Sequence, residues 1–531
     1  MKELVTIKDA IEIINDYLEK KINMPGNINY SNISYLIQYG WLRKYTENDK
    51  TLVNYKELMK YYEKFYSDRR LKWTNELGND LNWHLAFEHL KERDTTKHVH
   101  RLHPYKGKFI PQLVQYFIDD HTDEFKKEIY FQKGDIILDP FLGSGTTLVQ
   151  ANELGIHGIG IDISEFNCLI SKCKVQDYDI NLLQKVSNRI LNKLEEGKFG
   201  KNILAFEKEL SNEMHRFNKE HFPNPDFKYN IRQGLLDEGK YGKEKEKDFL
   251  SVYHRLMHKY DVEIKPAGGN NFLDRWLLKN IKNEVDLVSD EIQKETDKSV
   301  KNFMMVVLSR TVRSCRATKH YDLATLKEPQ FETYYCKKHK KICKPIMTIR
   351  ARFRRYLNDT MKRIEEYGKI KTNAGYAIIN GDSRTMNISS GIKDINPALF
   401  KLLKEKKIKG IFTSPPYVGN INYHEQHAYA YELFNFKRKD KLEIGPLYKG
   451  KGKKARQSYV KGISDVLINC KKFMVKNYDV FMVANDKHNL YPEIAKKAGM
   501  EIVNKFKRPV LNRTERDRKP YSEIVFHLKC K

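Results

Sequence analysis

Short, nearly continuous apolar runs recur along the chain and alternate with stretches whose apolar positions fall three or four residues apart. The runs predict buried strands, and the three-and-four spacing predicts amphipathic helices. Seven runs are assigned as strands: Asp135–Asp139, His157–Asp162, Ala377–Asn380, Gly410–Thr413, Asp479–Ala484, Glu501–Phe506 and Glu523–Leu528. Strands separated by helices imply a parallel, doubly wound α/β sheet whose ligands sit at the C-terminal strand ends. Only a short connection containing the charged stretch Arg513–Lys519 separates the last two runs. They are therefore expected to form an antiparallel hairpin, which makes the sheet mixed.

About 200 residues, mostly of helical pattern, interrupt the second and third strands. A connection of that length implies an inserted domain. Ahead of the first strand stand three amphipathic segments, Ile7–Lys20, Ile33–Tyr39 and Asn54–Phe65, with a basic turn before the third. Their arrangement resembles a helix-turn-helix or winged-helix module, although small three-helix units are also common as plain packing units. The expected organisation is thus a DNA-binding module over 1–70, a first core part over 71–180, an insertion over 181–371 and a second core part over 372–531.

Charge then narrows the partners. Lys and Arg number 97 against 69 Asp and Glu, a net charge of +28 over 531 residues, which favours a polyanion. With 12% aromatic residues the chain is folded rather than a disordered basic coat. It has no run of about 18 apolar residues, and its N-terminus is amphipathic, so membrane and secretory readings fall away. Seven cysteines, an odd number without dense spacing, suit a reducing cytoplasm.

Directly after the first strand comes Asp139-Pro-Phe141-Leu-Gly143-Ser-Gly145-Thr146-Thr, followed by a helical pattern. Gly143 and Gly145 let the chain turn sharply and bring its backbone close to a ligand. Asp162 ends the next strand 23 residues after Asp139, where a carboxylate accepts hydrogen bonds from ribose hydroxyls. A dinucleotide fingerprint would need a third glycine, and a phosphate-binding P-loop would need a Gly-Lys pair. The loop instead resembles that of class I S-adenosylmethionine-dependent methyltransferases, in which the first strand's acid neutralises the cofactor's amino group.

The fourth strand ends in Thr413-Ser414-Pro415-Pro416-Tyr417. Paired prolines fix the backbone, so that Ser414 and the Pro415 carbonyl present acceptors to an amino group beside the flat face of Tyr417. Such a site suits a planar, amine-bearing base drawn out of a duplex. With these two motifs in this order, the chain resembles the DNA amino-methyltransferases of restriction-modification systems. In that family Ser at the first motif position mostly marks N4-cytosine enzymes, and Asp or Asn mostly marks N6-adenine enzymes. Carbon-5 methylation uses a Pro-Cys nucleophile, and no Pro-Cys dipeptide occurs here. The resemblance covers about half of the chain. It extends to His103–Phe117, similar to the family's motif X, and implies Lys108, Phe109 and Pro111 beside the cofactor's methionine end. Likewise it implies that Asp382 contacts the adenine, and that 479–487 lies behind the base pocket.

One departure from the family's usual order is the place of the large insertion, before the Gly-Asp-Ser strand. Target recognition is still expected mainly there. A basic stretch, Lys437–Lys461, reads as a loop over the DNA backbone or as a solvated charge run. Within the insertion Cys336, His339 and Cys343 are compactly spaced, and Cys315 lies 21 residues before Cys336. Together they would satisfy a closed structural zinc site, with His320 as a competing ligand. His424, Glu425 and His427 lack metalloprotease spacing and read as a polar helix face or DNA contacts. Trp276, Tyr334 and Tyr335 read as core.

The expected protein is a cytoplasmic, sequence-specific DNA N4-cytosine methyltransferase that acts on double-stranded DNA and is paired with a separate restriction endonuclease. The nearest alternative is N6-adenine specificity. RNA or protein-amide methylation shares the Pro-Pro-Tyr logic, and a regulator with a degenerate core is the alternative of another class.

Overall fold

The computed structural model describes residues 3–22, 26, 28–197, 201–322, 326–511 and 519–531. Most of the connection between the last two strands, including 513–518 of the charged stretch, lies outside the described residues.

The chain divides into two compact units, and the larger comprises Asp80–Glu196, Val285–Arg313 and Arg350–Lys531. It is built on seven strands: β1 (Ile136–Asp139), β2 (His157–Asp162), β3 (Tyr376–Asn380), β4 (Ile408–Thr413), β5 (Met474–Ala484), β6 (Met500–Pro509) and β7 (Ser522–Cys530). Their spatial order is β6-β7-β5-β4-β1-β2-β3. The first five strands pair in parallel, whereas β7 runs antiparallel between β5 and β6. This is the mixed, Rossmann-like sheet with the C-terminal antiparallel hairpin that the periodicity predicts.

Alternation along the strands explains why both faces are covered. Ile136 and Leu138 of β1, with Val480 and Met482 of β5, pack into one apolar cluster. Their neighbours Ile137, Phe481 and Val483 pack into another, with Phe412 and Phe117. Successive side chains leave a strand on opposite faces, so a continuous apolar run marks a strand buried on both. β4 and β5 begin earlier than the apolar runs suggest, because Met474 pairs with Ile408 before a register shift near Asp479.

The smaller unit comprises Met1–Asn79, Gly197–Glu284 and Ser314–Ile349. The stretch 181–371, expected as one insertion, is thus shared between the two units. The smaller unit also contains the N-terminal segment, with helices Ile7–Ile22, Tyr30–Gln38 and Tyr55–Leu77. Ile7, Ala10, Ile14 and Leu18 form the buried stripe of the first helix. Thr6 caps it, accepting the Asp9 N–H at 3.2 Å. Three short strands missed by the periodicity, Leu4–Thr6, Tyr45–Glu47 and Lys50–Asn54, form an antiparallel sheet beside these helices. Two helices followed by a β-hairpin have the order of a winged helix. Among the described residues, no helix is long and apolar enough to cross a membrane.

Candidate active site

β1 ends in Asp139, and the chain then turns through Gly143 and Gly145, with φ of +50° and +75°, into the helix Thr146–Glu153. A Cβ on Gly145 would come within 2.8 Å of Ser171 Oγ, so both backbone sign and space demand glycine there. The Gly143 N–H donates to Asp162 Oδ2 at 2.8 Å, tying the loop to the acid that ends β2. Asp162 also accepts from the Ser164 N–H at 2.8 Å and the Asn167 amide at 3.2 Å. Asp139 accepts the Thr413 hydroxyl at 2.6 Å and the Phe141 N–H at 3.1 Å. Burial pushes both carboxyls up to about 6. Removing two acids from water in this way costs stability unless a ligand completes their environment.

A cleft of about 880 Å³, counted to the solvent at its mouth, opens over this loop. Lys108, Phe109, Asp139, Phe141, Gly143, Thr146 and Asp162 line it from the cofactor-loop side. Asp382, Ser414 and Pro416 line it as well, so the two sequence motifs share one cavity. Gly145 shapes the turn without facing the cleft, and Pro111 is buried as the first residue of the helix Pro111–Ile118, away from the lining. Lys108 turns its ammonium to the His100 carbonyl at 2.8 Å, and burial lowers its pKa to about 8. Asp382 is paired with Arg384, whose Nη2 lies 2.6 Å from Oδ2. Burial alone would raise this carboxyl, but hydrogen bonds from Arg384 hold it below the usual range.

The Ser414 hydroxyl donates to the Val483 carbonyl at 3.0 Å, which leaves its lone pairs available to accept. Pro415 is buried and Pro416 faces the cleft. Tyr417 donates to Glu523 Oε1 at 3.0 Å, and the other Glu523 oxygen receives Arg508 Nη1 at 3.3 Å. That chain of contacts fixes the ring, which packs against the apolar cluster of the sheet and is not among the residues lining the cleft.

Sequence reasoning missed several residues of the lining: Tyr105, Asn167, Tyr423, His424 and Glu443. Tyr105 lies inside the motif X segment and stacks with Tyr423, with ring centroids 6.1 Å apart. Glu443 accepts the His424 N–H at 2.8 Å and also meets its imidazole. Leu442, Glu443 and Ile444 belong to the basic stretch read as a DNA loop, yet they line this cleft. Lys437, Arg438, Lys441, Lys449, Lys451, Lys453, Lys454 and Lys461 of that stretch are exposed to solvent. His427, discounted as a ligand, is buried among the rings of His103, Tyr105 and Phe166.

The residues present suit S-adenosylmethionine. Two buried carboxyls stand at adjoining strand ends, and the glycine turn leaves a cradle that a Cβ would obstruct. In addition Ser144 Oγ, His424 Nε2 and Glu443 Oε2, all on lining residues, are buried without a hydrogen-bond partner. Buried polar atoms of this kind call for a ligand or water.

Fold and site together define an S-adenosylmethionine-dependent α/β methyltransferase. A family model described as DNA methylase matches residues 4–173. The type II methyltransferase M.MjaII of Methanocaldococcus jannaschii is 48% identical over 534 residues, covering 99% of this chain and 97% of that protein. M.MvaI of Kocuria varians is 24% identical over 64% of this chain and 57% of its own length. M.BsoBI of Geobacillus stearothermophilus is 42% identical over 16% of this chain and 15% of its own. The chain belongs to the type II DNA methyltransferases.

The Cys/His group assembles in the smaller unit. His320, Cys336, His339 and Cys343 have their ligand atoms within 4.8 Å of one another. Cys315, expected as the fourth ligand, is not in this group. It ends the helix Lys298–Cys315, and His320, five residues on, takes the position because Tyr334 holds it there. Tyr334, Tyr335 and Trp276 are buried, as expected of core residues.

Proposed function

We propose that this enzyme methylates the exocyclic N4 amine of cytosine at a specific sequence in duplex DNA, as the protective member of a restriction-modification system. The observation that carries the reading is one cleft lined both by residues of the Asp139–Thr146 loop and by Ser414 and Pro416. Asp139, Asp162, Asp382 and the glycine turn would hold S-adenosylmethionine, which supplies a sulfonium methyl group.

The base is turned out of the duplex, so that Tyr417 offers a face to stack on. The Ser414 hydroxyl and the Pro415 carbonyl accept from the amine, orient its nitrogen and favour the positive charge that develops there. Because Ser414 is tied to β5 and Tyr417 to β7, these acceptors are held rigidly, as a preorganised site requires. Ser at position 414, rather than Asp or Asn, supports cytosine. The N-terminal segment is assigned to DNA contact and the stretch 181–371 mainly to target recognition, with phosphate charge supplying much of the affinity of a chain of net charge +28.

The test is to incubate the protein with unmethylated DNA and labelled S-adenosylmethionine and to identify the labelled nucleoside by mass spectrometry. Label in N4-methylcytosine supports the proposal. Label in N6-methyladenine overturns the base assignment while keeping the reaction, and label absent from DNA overturns the reaction.

A further inference from the structure

We propose that His320, Cys336, His339 and Cys343 bind one zinc ion in a closed, four-ligand site that staples the smaller unit. The strands Tyr334–Cys336 and Lys341–Cys343 form an antiparallel hairpin in which Tyr334 lies opposite Cys343 and Cys336 opposite Lys341. This register puts Cys336 and Cys343 on the same face, one diagonal apart. The Lys340 N–H donates to the Cys336 carbonyl at 2.7 Å, with Lys340 at φ +57°, and this tight turn carries His339 back toward the sulfurs.

His320 arrives from a different part of the chain. Its backbone N–H donates to the Tyr334 hydroxyl at 3.0 Å, and its Nδ1 lies 2.8 Å from the same oxygen. Tyr334 is therefore a positioning residue that fixes His320 through its backbone N–H, and a metal bound at Nδ1 would replace the Tyr334 contact at that nitrogen. Cys336 Sγ is 3.7 Å from His320 Nδ1, and His339 Nδ1 is 3.4 Å from Cys343 Sγ. A tetrahedral ion with Zn–S of about 2.3 Å and Zn–N of about 2.0–2.1 Å gives S···N edges of roughly 3.5 Å.

Chemistry separates this group from the other two clusters of potential ligands. Glu153, beside His98 and His100, is already paired with Lys97 at 2.7 Å. Asp440, beside His424 and Glu443, is paired with Arg438 at 2.6 Å. The hairpin group contains no carboxylate, and none of the seven cysteines is in a disulfide. Two thiolates and two imidazoles at tetrahedral spacing select zinc, and a full set of protein ligands leaves no position open for catalysis. Binding displaces the thiol protons to solvent.

The staple meets a structural need. Strands of three residues make a hairpin that is marginal in water, and its own apolar cluster consists of Tyr334, Cys336 and Cys343. Holding it rigid would display Lys337, Lys338 and Lys341, all exposed, as a fixed basic tip.

This inference stands apart from the methyltransferase reading, and the two fail separately. The full-length chain, purified without a metal-affinity step, is analysed by inductively coupled plasma mass spectrometry. One zinc per chain is expected, lost in Cys336→Ser and His320→Ala and retained in Cys315→Ser. Adding Co(II) to the metal-free wild-type chain is expected to give thiolate-to-cobalt charge-transfer bands and strong tetrahedral d–d absorption. Neither measurement on the wild type depends on a variant folding. Zinc-free native protein without the cobalt spectrum would overturn the proposal, as would loss of zinc in Cys315→Ser with retention in His320→Ala.

Discussion

The cofactor cleft and the Cys/His hairpin both gather polar groups, but by different means. In the cleft, Asp139, Gly143, Gly145 and Asp162 fall at the ends of two adjacent parallel strands, so ladder register alone sets most of their spacing. In the hairpin group only Cys336, His339 and Cys343 are set locally, and His320 is delivered by a tertiary contact with Tyr334. The glycine loop and its two acids are therefore robust to events outside their sheet, whereas the hairpin group depends on a cross-link. Perturbing one while reading both tests that difference.

Metal removal is expected to have the largest effect. Structural zinc supplies on the order of 10 kcal/mol of apparent folding free energy in small domains. A chelator should therefore raise amide exchange across 334–343 while leaving 136–162 protected, as followed by hydrogen-exchange mass spectrometry. Equal protection of the hairpin with and without chelator would break the comparison.

Gly145→Val is the converse. A left-handed conformation costs an L-residue about 1–2 kcal/mol, and overpacking against Ser171 adds about 1–3 kcal/mol. The affinity for S-adenosylmethionine, measured calorimetrically, should fall at least about 30-fold, an effect of about 2 kcal/mol. The zinc content of the variant should stay at the wild-type level.

Next comes pH. Asp139 and Asp162 are pushed up to about 6 from 3.8, so between those values the folded state binds more protons than the unfolded state. Their contribution to apoprotein stability therefore falls as pH rises through 4 to 6 and is restored on acidification. Cofactor binding has the opposite sign, because a cationic ligand favours the ionised acids. For each acid that must be charged, affinity should drop about tenfold between pH 7 and pH 5. Affinity that is flat across this range would show that neither carboxylate faces the ligand's charge.

The same contrast explains what the sequence disclosed. The central strands of the sheet were legible because they are short, nearly continuous apolar runs. The edge strand β6 is more polar and was placed by its apolar residues Ile502, Val503 and Phe506, and the two motifs could be placed because each follows a buried run. Tyr423, His424 and Glu443 were not legible, since nothing local links a residue six positions after Tyr417 to the turn at Glu443. The short strands of the N-terminal module lack the length for a periodic signal. Cys315 was favoured over His320 on composition, and only the Tyr334 contact, invisible in one dimension, selects between them.

Thr413→Val asks whether a single hydrogen bond tunes the cleft, and should give the smallest effect. The Thr413 hydroxyl donates to Asp139 Oδ1 at 2.6 Å, both groups are buried, and valine preserves the shape. A hydrogen bond to a charged acceptor is worth about 1.5–3 kcal/mol, and here it stabilises only the ionised acid. Its loss should move the Asp139 midpoint up by about one unit, from about 6 toward 7. At pH 8 the acid is still ionised, so affinity for S-adenosylmethionine should stay within about twofold of wild type, whereas at pH 6 it should fall several-fold. The curve of affinity against pH thus shifts along its axis without changing its plateau. A uniform loss at every pH would mean instead that Thr413 acts through packing between β4 and β1, and the electrostatic account of the cleft would fail at its first residue.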